Sequence, residues 1–176
     1  MYLEEDICIE EEMMRVNLDD DEHIIAILPK VWLNETGLLG LLKRSKEGIL
    51  AMTNKSLVFV AKRMVVTRDE ISRYIDLDER IVKVSNIKGY SERDLDEDIS
   101  NEKDSVLIPL ISIIDVREVK VRRSKFLRVT FITNDGKSKT YDYGIAESIT
   151  SYPIRQPLLF YDISWEPWIR LINAYR

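Results

Sequence analysis

The side chains of greatest chemical reach in this chain are cationic and sit close together. Arg117, Lys120, Arg122, Arg123, Lys125 and Arg128 stand against one acid, Glu118, so six bases minus one acid give residues 117–128 a local charge of +5. A basic patch of this kind, centred on Lys120, Arg122, Arg123, Lys125 and Arg128, can receive phosphate groups, nucleic acid or an acidic protein segment. Nucleic acid needs stacking aromatics among the bases, and only Phe126 and Tyr141 accompany them, which places it last of the three. Carboxylates are plentiful but carry no specified pair geometry. Asp94-Leu95-Asp96-Glu97-Asp98 alternates acids as calcium loops do, yet Ile99 occupies the glycine position and no glutamate closes the twelfth. Cys8 and His23 are single copies, so neither an internal disulfide nor a zinc cage of Cys and His ligands can form within one chain. His23 reads as a titrating surface group, and Cys8 has no activating histidine near it in sequence. Gly37-Leu38-Leu39-Gly40 lacks the Gly-Lys-Ser/Thr end of a phosphate loop. The expectation is therefore no catalytic residue, no metal and no cofactor, with an unrecognised carboxylate site as the enzyme alternative.

Composition bounds what can hold these groups in place. One hundred and seventy-six residues suffice for one core with appendages, and 45% hydrophobic with 32% charged residues describes a soluble globular protein. No apolar run approaches a bilayer span, and the acidic start Met1-Tyr2-Leu3-Glu4-Glu5-Asp6 is unlike a secretory signal, which points to the cytoplasm. A single Gln and a single Cys amid abundant Ile, Glu, Lys and Arg lean toward a thermophilic source. The net charge of −5 is strongly segregated, since residues 1–22 hold ten acids and one base, a local −9. Residues 68–104 hold twelve acids and seven bases, another −5. Acidic blocks of this kind usually form solvated faces.

The positioning elements read mainly as strands. Gly48-Ile49-Leu50-Ala51-Met52-Thr53-Asn54-Lys55-Ser56-Leu57-Val58-Phe59-Val60 is a hairpin, two apolar runs around a polar turn in which Asn54 tolerates left-handed φ. A β-rich run over 23–33 precedes it, with Pro29 marking an edge or a bulge. Further strands are expected at 106–111, 113–121, 126–133 and 137–143, the last two joined by the turn Asn134-Asp135-Gly136, for about seven in all. Thr67 with Glu70 three residues on predicts a helix start, and 90–105, rich in Asp, Glu and Ser, reads as an exposed insertion with disordered character. Ser151-Tyr152-Pro153-Ile154-Arg155-Gln156-Pro157 interrupts regular structure. Trp165, Trp168, Ile169, Ile172 and Tyr175 then recur at helical spacing, with Ser164 as cap, predicting an amphipathic helix whose tryptophans seal the sheet.

Gly48, Leu50, Thr53, Leu57 and Phe59 match the Gly-x-Leu-x-x-Thr-x-x-x-Leu-x-Phe strand pair of the pleckstrin-homology-like (PH-like) superfamily, and Ile108-Pro109-Leu110-Ile111 resembles the strand that follows it. The likeness is to the GRAM and bacterial PH branch and covers roughly 23–143 plus the last helix. It implies a mainly β fold with α, a seven-stranded antiparallel barrel or roll capped by a C-terminal helix. The layout would be an acidic arm over 1–22 and one PH-like domain over 23–176, with an acidic helical insertion at 64–104 and a capping helix at 158–176. In phosphoinositide-binding PH domains the loop after the first strand supplies bases to the phosphates. Here that implies Lys43, Arg44 and Lys46, with Lys30 on the strand before. Leu38, Leu39, Leu41 and Leu42 would either insert among headgroups or fold over the barrel mouth. The resulting expectation is a non-enzymatic binding or scaffolding module with a protein partner. Its alternative is a peripheral binder of anionic lipid, with the acidic arm or insertion available to neutralise the basic patch.

Overall fold

The computed structural model describes residues 15–37 and 44–176. Three apolar runs give the first three strands, β1 (Ile24–Glu35), β2 (Lys46–Thr53) and β3 (Ser56–Val60). They pair antiparallel, with Ile27 opposite Ala51 and Ile49 opposite Val60. The β2–β3 turn closes through Thr53, whose Oγ1 accepts the N–H groups of Lys55 at 3.2 Å and Ser56 at 2.9 Å. Asn54 keeps a negative φ, so the left-handed turn expected at that residue is replaced by a threonine-capped one. Pro29 does mark a bulge. Leu28 pairs with Leu50 and Val31 with Gly48, leaving one extra residue on β1, and Lys30 takes up the irregularity at φ 60°. Gly48 must stay bare, because a Cβ there would stand 2.1 Å from the carbonyl oxygen of Val60.

The remaining sheet strands are β6 (Val106–Pro109), β7 (Ile113–Val121), β8 (Ser124–Ile132), β9 (Ser138–Thr150) and β10 (Gln156–Phe160). Their order is β6-β3-β2-β1-β9-β8-β7, with β10 added to the far half of β9. The protein is thus mainly β, a curled half-barrel of antiparallel strands accompanied, among the described residues, by three α-helices. β1 pairs with β9 on its other side, joining the two halves of the sheet: Val31 faces Ile145 and Glu35 faces Tyr141. Leu127, Val129 and Phe131 share the inward face of β8, as period-2 alternation requires. Tyr143 lies in the same core with its hydroxyl unpartnered among the described residues.

Between β3 and β6 the chain makes α1 (Arg68–Ile71), the small hairpin of β4 (Ile75–Asp76) and β5 (Ile81–Val82), and α2 (Glu92–Asn101). Thr67 caps α1 through the N–H of Glu70. Residues 90–105, read as an exposed insertion disordered in part, contain a helix. Ser91 and Asp94 form a reciprocal capping box that starts α2, and Leu95 is fully buried. Pro167 sits in the first turn of α3 (Glu166–Tyr175), where its missing N–H costs nothing. Trp165, Trp168 and Ile172 are all at 0% exposure inside the sheet's open side. Trp168 Nε1–H donates to the Lys83 carbonyl at 3.0 Å, and the Trp165 N–H donates to Glu118 Oε2 at 2.8 Å. Ser164 exchanges backbone bonds with Arg80 and Val82 at 2.8 and 2.9 Å, so the insertion braces the plug. The helix begins eight residues later than the expected 158, because 156–160 is β10; Pro157 is accommodated there at a register irregularity.

Residues 15–22 of the acidic arm lie against α2 and the β2–β3 turn, away from the basic patch for which the arm or the insertion was an available counter-charge. The Asp96 carboxylate accepts the backbone N–H groups of Val16 (3.1 Å), Asn17 (2.8 Å) and Leu18 (2.9 Å). Lys55 binds Asp21 at 2.7 Å and Asp19 at 3.1 Å, and buried Glu22 takes the Thr53 hydroxyl. Burial is the largest influence on Asp96 and opposes its charge, but the three N–H donors together outweigh it and hold its pKa below the ordinary carboxylate value.

A lowered folded pKa means stability that is present above the unfolded value and lost as pH falls through the folded one. Asp96→Ala should therefore lower the unfolding free energy by about 2 kcal/mol near neutrality, an effect that fades below about pH 4, as urea titrations across pH would read. Tyr143→Phe removes a buried hydroxyl with no partner and should raise stability by about 1 kcal/mol in the same assay.

Candidate functional site

Of the loop set, Lys43 and Leu38, Leu39, Leu41 and Leu42 lie outside the described residues. Arg44 is exposed, whereas Lys46 pairs with Asp104 of the insertion at 2.9 Å. Lys30 stands at the β1 bulge, three residues before Leu33, the register partner of Lys46, so the strand places them about 10 Å apart along β1. The loop leaves β1 beside the β8–β9 turn, where the Thr36 N–H meets the Thr140 carbonyl at 3.1 Å.

The second basic set occupies the other end of β8. Arg128 does not face outward as a ligand group: its Nε and Nη2 bind the two oxygens of Asp142 at 2.8 and 2.9 Å across the β8–β9 ladder. The Asp142 hydrogen bond holds the Arg128 pKa above its usual value. Lys120 and Lys125 share Asp162 at 4.0 and 3.8 Å, and Lys125 also approaches Glu118 at 3.8 Å. Arg122 and Arg123 remain. They form the two-residue turn between Val121 and Ser124, with φ 58° at Arg122, and make no ion pair among the described residues. The sequence gives no means of sorting these cations, because their acidic partners lie up to 42 residues away, at Asp162.

β10 adds a wall that the sequence reading placed in a helix. Phe160 packs edge-on against Phe126 with ring centroids 4.8 Å apart, and Gly144 makes room, since a Cβ there would be 2.7 Å from the Phe126 ring. Ser124 Oγ donates to the Phe160 carbonyl at 2.9 Å, and Arg155 clamps the hairpin onto Glu47 with contacts of 2.8 and 3.2 Å. Trp32, Phe126 and Ala146 are buried yet stand apart from the main core. Between the β7–β8 turn and β10 runs an open cleft of about 590 Å³, bordered by Val121, Arg122, Arg123, Leu158 and Leu159. Register irregularities on both sides of Leu159 turn Leu158 and Leu159 toward solvent.

The carboxylates do not converge. Asp94 caps Ser91, Asp96 holds the arm, and Asp98 takes the Tyr90 hydroxyl at 2.6 Å and Lys62 at 3.1 Å. Three neighbours in sequence thus point to three different partners. Among the described residues no group of three or more His, Cys, Asp or Glu could hold a metal ion. His23 is exposed, its N–H bound by Asn54, and Cys8 lies outside the described residues. Phe126, the aromatic expected beside the bases, is buried beneath Phe160 and offers no stacking face. A second cleft of about 500 Å³ opens where the arm, the β2–β3 turn and the end of α3 meet, between Lys55 and Tyr175. No protein-family model, curated protein or solved structure matches the chain.

The Arg128–Asp142 pair is largely shielded from solvent, so Arg128→Gln should cost about 2 kcal/mol by chemical denaturation, whereas Arg122→Gln with Arg123→Gln should leave stability within about 0.5 kcal/mol.

Proposed function

We propose that the protein is a non-enzymatic PH-like binding or scaffolding module whose first ligand is an extended segment of another protein. The strand order and the tryptophan-bearing plug support the PH-like reading. Within the motif, Gly48, Leu50, Thr53, Leu57 and Phe59 are each explained by packing or by the turn, so the motif belongs to the fold and the ligand must be sought elsewhere.

The observation that carries a protein partner is the edge of β7. It spans nine residues and pairs only with β8 among the described residues. In a two-residue hairpin Val121 and Ser124 exchange backbone bonds, and the bonded pairs alternate from there through Val119–Phe126 and Arg117–Arg128. Glu118 and Lys120 therefore turn their N–H and C=O groups away from β8. These groups form a row to which an extended peptide can add as a strand. Exposed Arg117 and Lys120 beside that row, whose ion pairs with Asp115 and Asp162 are long at 3.4 and 4.0 Å, favour acidic residues in the added strand. The loop after β1 supports the lipid alternative less well, because Lys46 is committed to Asp104. Placement in the cytoplasm belongs to the same proposal; no described helix is long and apolar enough to cross a membrane.

Lys120→Pro tests this directly, since it deletes an outward N–H and leaves the β7–β8 bonds in place. Selection of a displayed library of random peptides should enrich acidic extended sequences on the natural protein, with enrichment falling by on the order of tenfold on the variant at unchanged stability. Equal enrichment on both proteins, or none on either, would discard the edge as a recognition site.

A further inference from the structure

The basic cluster reduces to two unpaired guanidiniums, and these are set in exposed apolar surface. Leu158 is 65% exposed, Leu159 46% and Val121 47%, all bordering the cleft that Arg122 and Arg123 flank. Tyr152, in the loop leading into β10, is 88% exposed. Leaving aliphatic side chains in water is unfavourable and calls for a partner that covers them. The groups at the floor of the cleft are already engaged, Ser124 Oγ with the Phe160 carbonyl and the Phe126 ring with Phe160. The contact groups left over are those of the rim, and they are open to solvent. Exposed leucines beside arginines suit the boundary between headgroups and acyl chains, where the aliphatic tips enter and the guanidiniums pair with phosphate or carboxylate.

We infer that the rim formed by Arg122, Arg123, Leu158 and Leu159 docks the protein on an anionic bilayer surface. The charge layout fits. The molecule carries −5 overall, so an anionic surface repels most of its faces, whereas this rim presents two positive charges that no described acid neutralises and that such a surface attracts. The site differs from the loop after β1, which emerges at the opposite end of β8. It is also independent of strand addition at β7, because it uses side chains beyond the last residue of that strand.

Sedimentation with phosphatidylcholine vesicles, with and without phosphatidylserine, tests the inference on the full chain. The protein should pellet with the anionic vesicles alone, and added salt should release it. Arg122→Gln with Arg123→Gln, and separately Leu158→Ser with Leu159→Ser, should each weaken partitioning by on the order of tenfold. Arg44→Gln with Lys46→Gln should leave it unchanged. All substituted positions are exposed or half-exposed, and circular dichroism confirms that each variant folds. No binding to anionic vesicles would overturn the inference, as would undiminished binding by both rim variants. Capture of polyglutamate with no vesicle binding would also overturn it, assigning the rim to an acidic peptide.

Discussion

A curled antiparallel sheet that does not close leaves an apolar mouth, and filling that mouth is the constraint on which the rest of this structure depends. Trp165 and Trp168 supply the volume, and both indoles are fully buried. An indole buried with its N–H unbonded would lose much of what burial gains, so the plug needs acceptors at fixed places. Trp168 finds the Lys83 carbonyl, and the backbone of Trp165 finds the Glu118 carboxylate. Those two partners come from the insertion and from β7. The insertion is thus part of the seal, and the chain from Arg80 to Lys83 is ordered because α3 uses it.

The same logic of fixed acceptors explains where the acidic segments went. Blocks of carboxylates look like solvated faces in sequence, but Asp96, Asp94 and Glu22 each serve backbone or hydroxyl donors that would otherwise be orphaned. Acid here ties segments together over long sequence separations, Asp96 to residues 16–18 above all. Bases are treated in the same way: Arg128, Lys125, Arg155 and Lys46 each have a specific acidic partner. What such pairing leaves over is the better guide to a surface that meets something else. Arg122 and Arg123 are left over, and β10 surrounds them with exposed leucines.

Legibility in the sequence followed the range of the interaction involved. Apolar runs placed β1, β2 and β3, and alternation placed β8, because both patterns are properties of neighbouring residues. Asn134-Asp135-Gly136 placed the β8–β9 turn, with Gly136 at φ 81°, for the same local reason. The last helix was legible from its i, i+3, i+4 stripe. β10 was not, since Gln156-Pro157-Leu158-Leu159-Phe160 has neither alternation nor a clean helical stripe, and its strand character comes from β9 running on to Thr150. The capping box of α2 was present as Ser91 and Asp94, but a helix of low apolar content is held by Leu95 and by the arm, contacts invisible in a one-dimensional reading.

Taken by itself, the sequence determined a mainly antiparallel β fold with a tryptophan-bearing final helix, an edge or a bulge at Pro29 and a cationic run over 117–128, all of them properties of neighbouring residues. Only the tertiary structure decided which of those cations are free. Ion pairing reaches across strands and between distant segments, from Arg128 to Asp142 and from Lys120 and Lys125 to Asp162, and such distances are set by register and curl. Likewise the exposure of Leu158 and Leu159 follows from irregular pairing between β10 and β9, a relation between two strands that neither strand encodes alone.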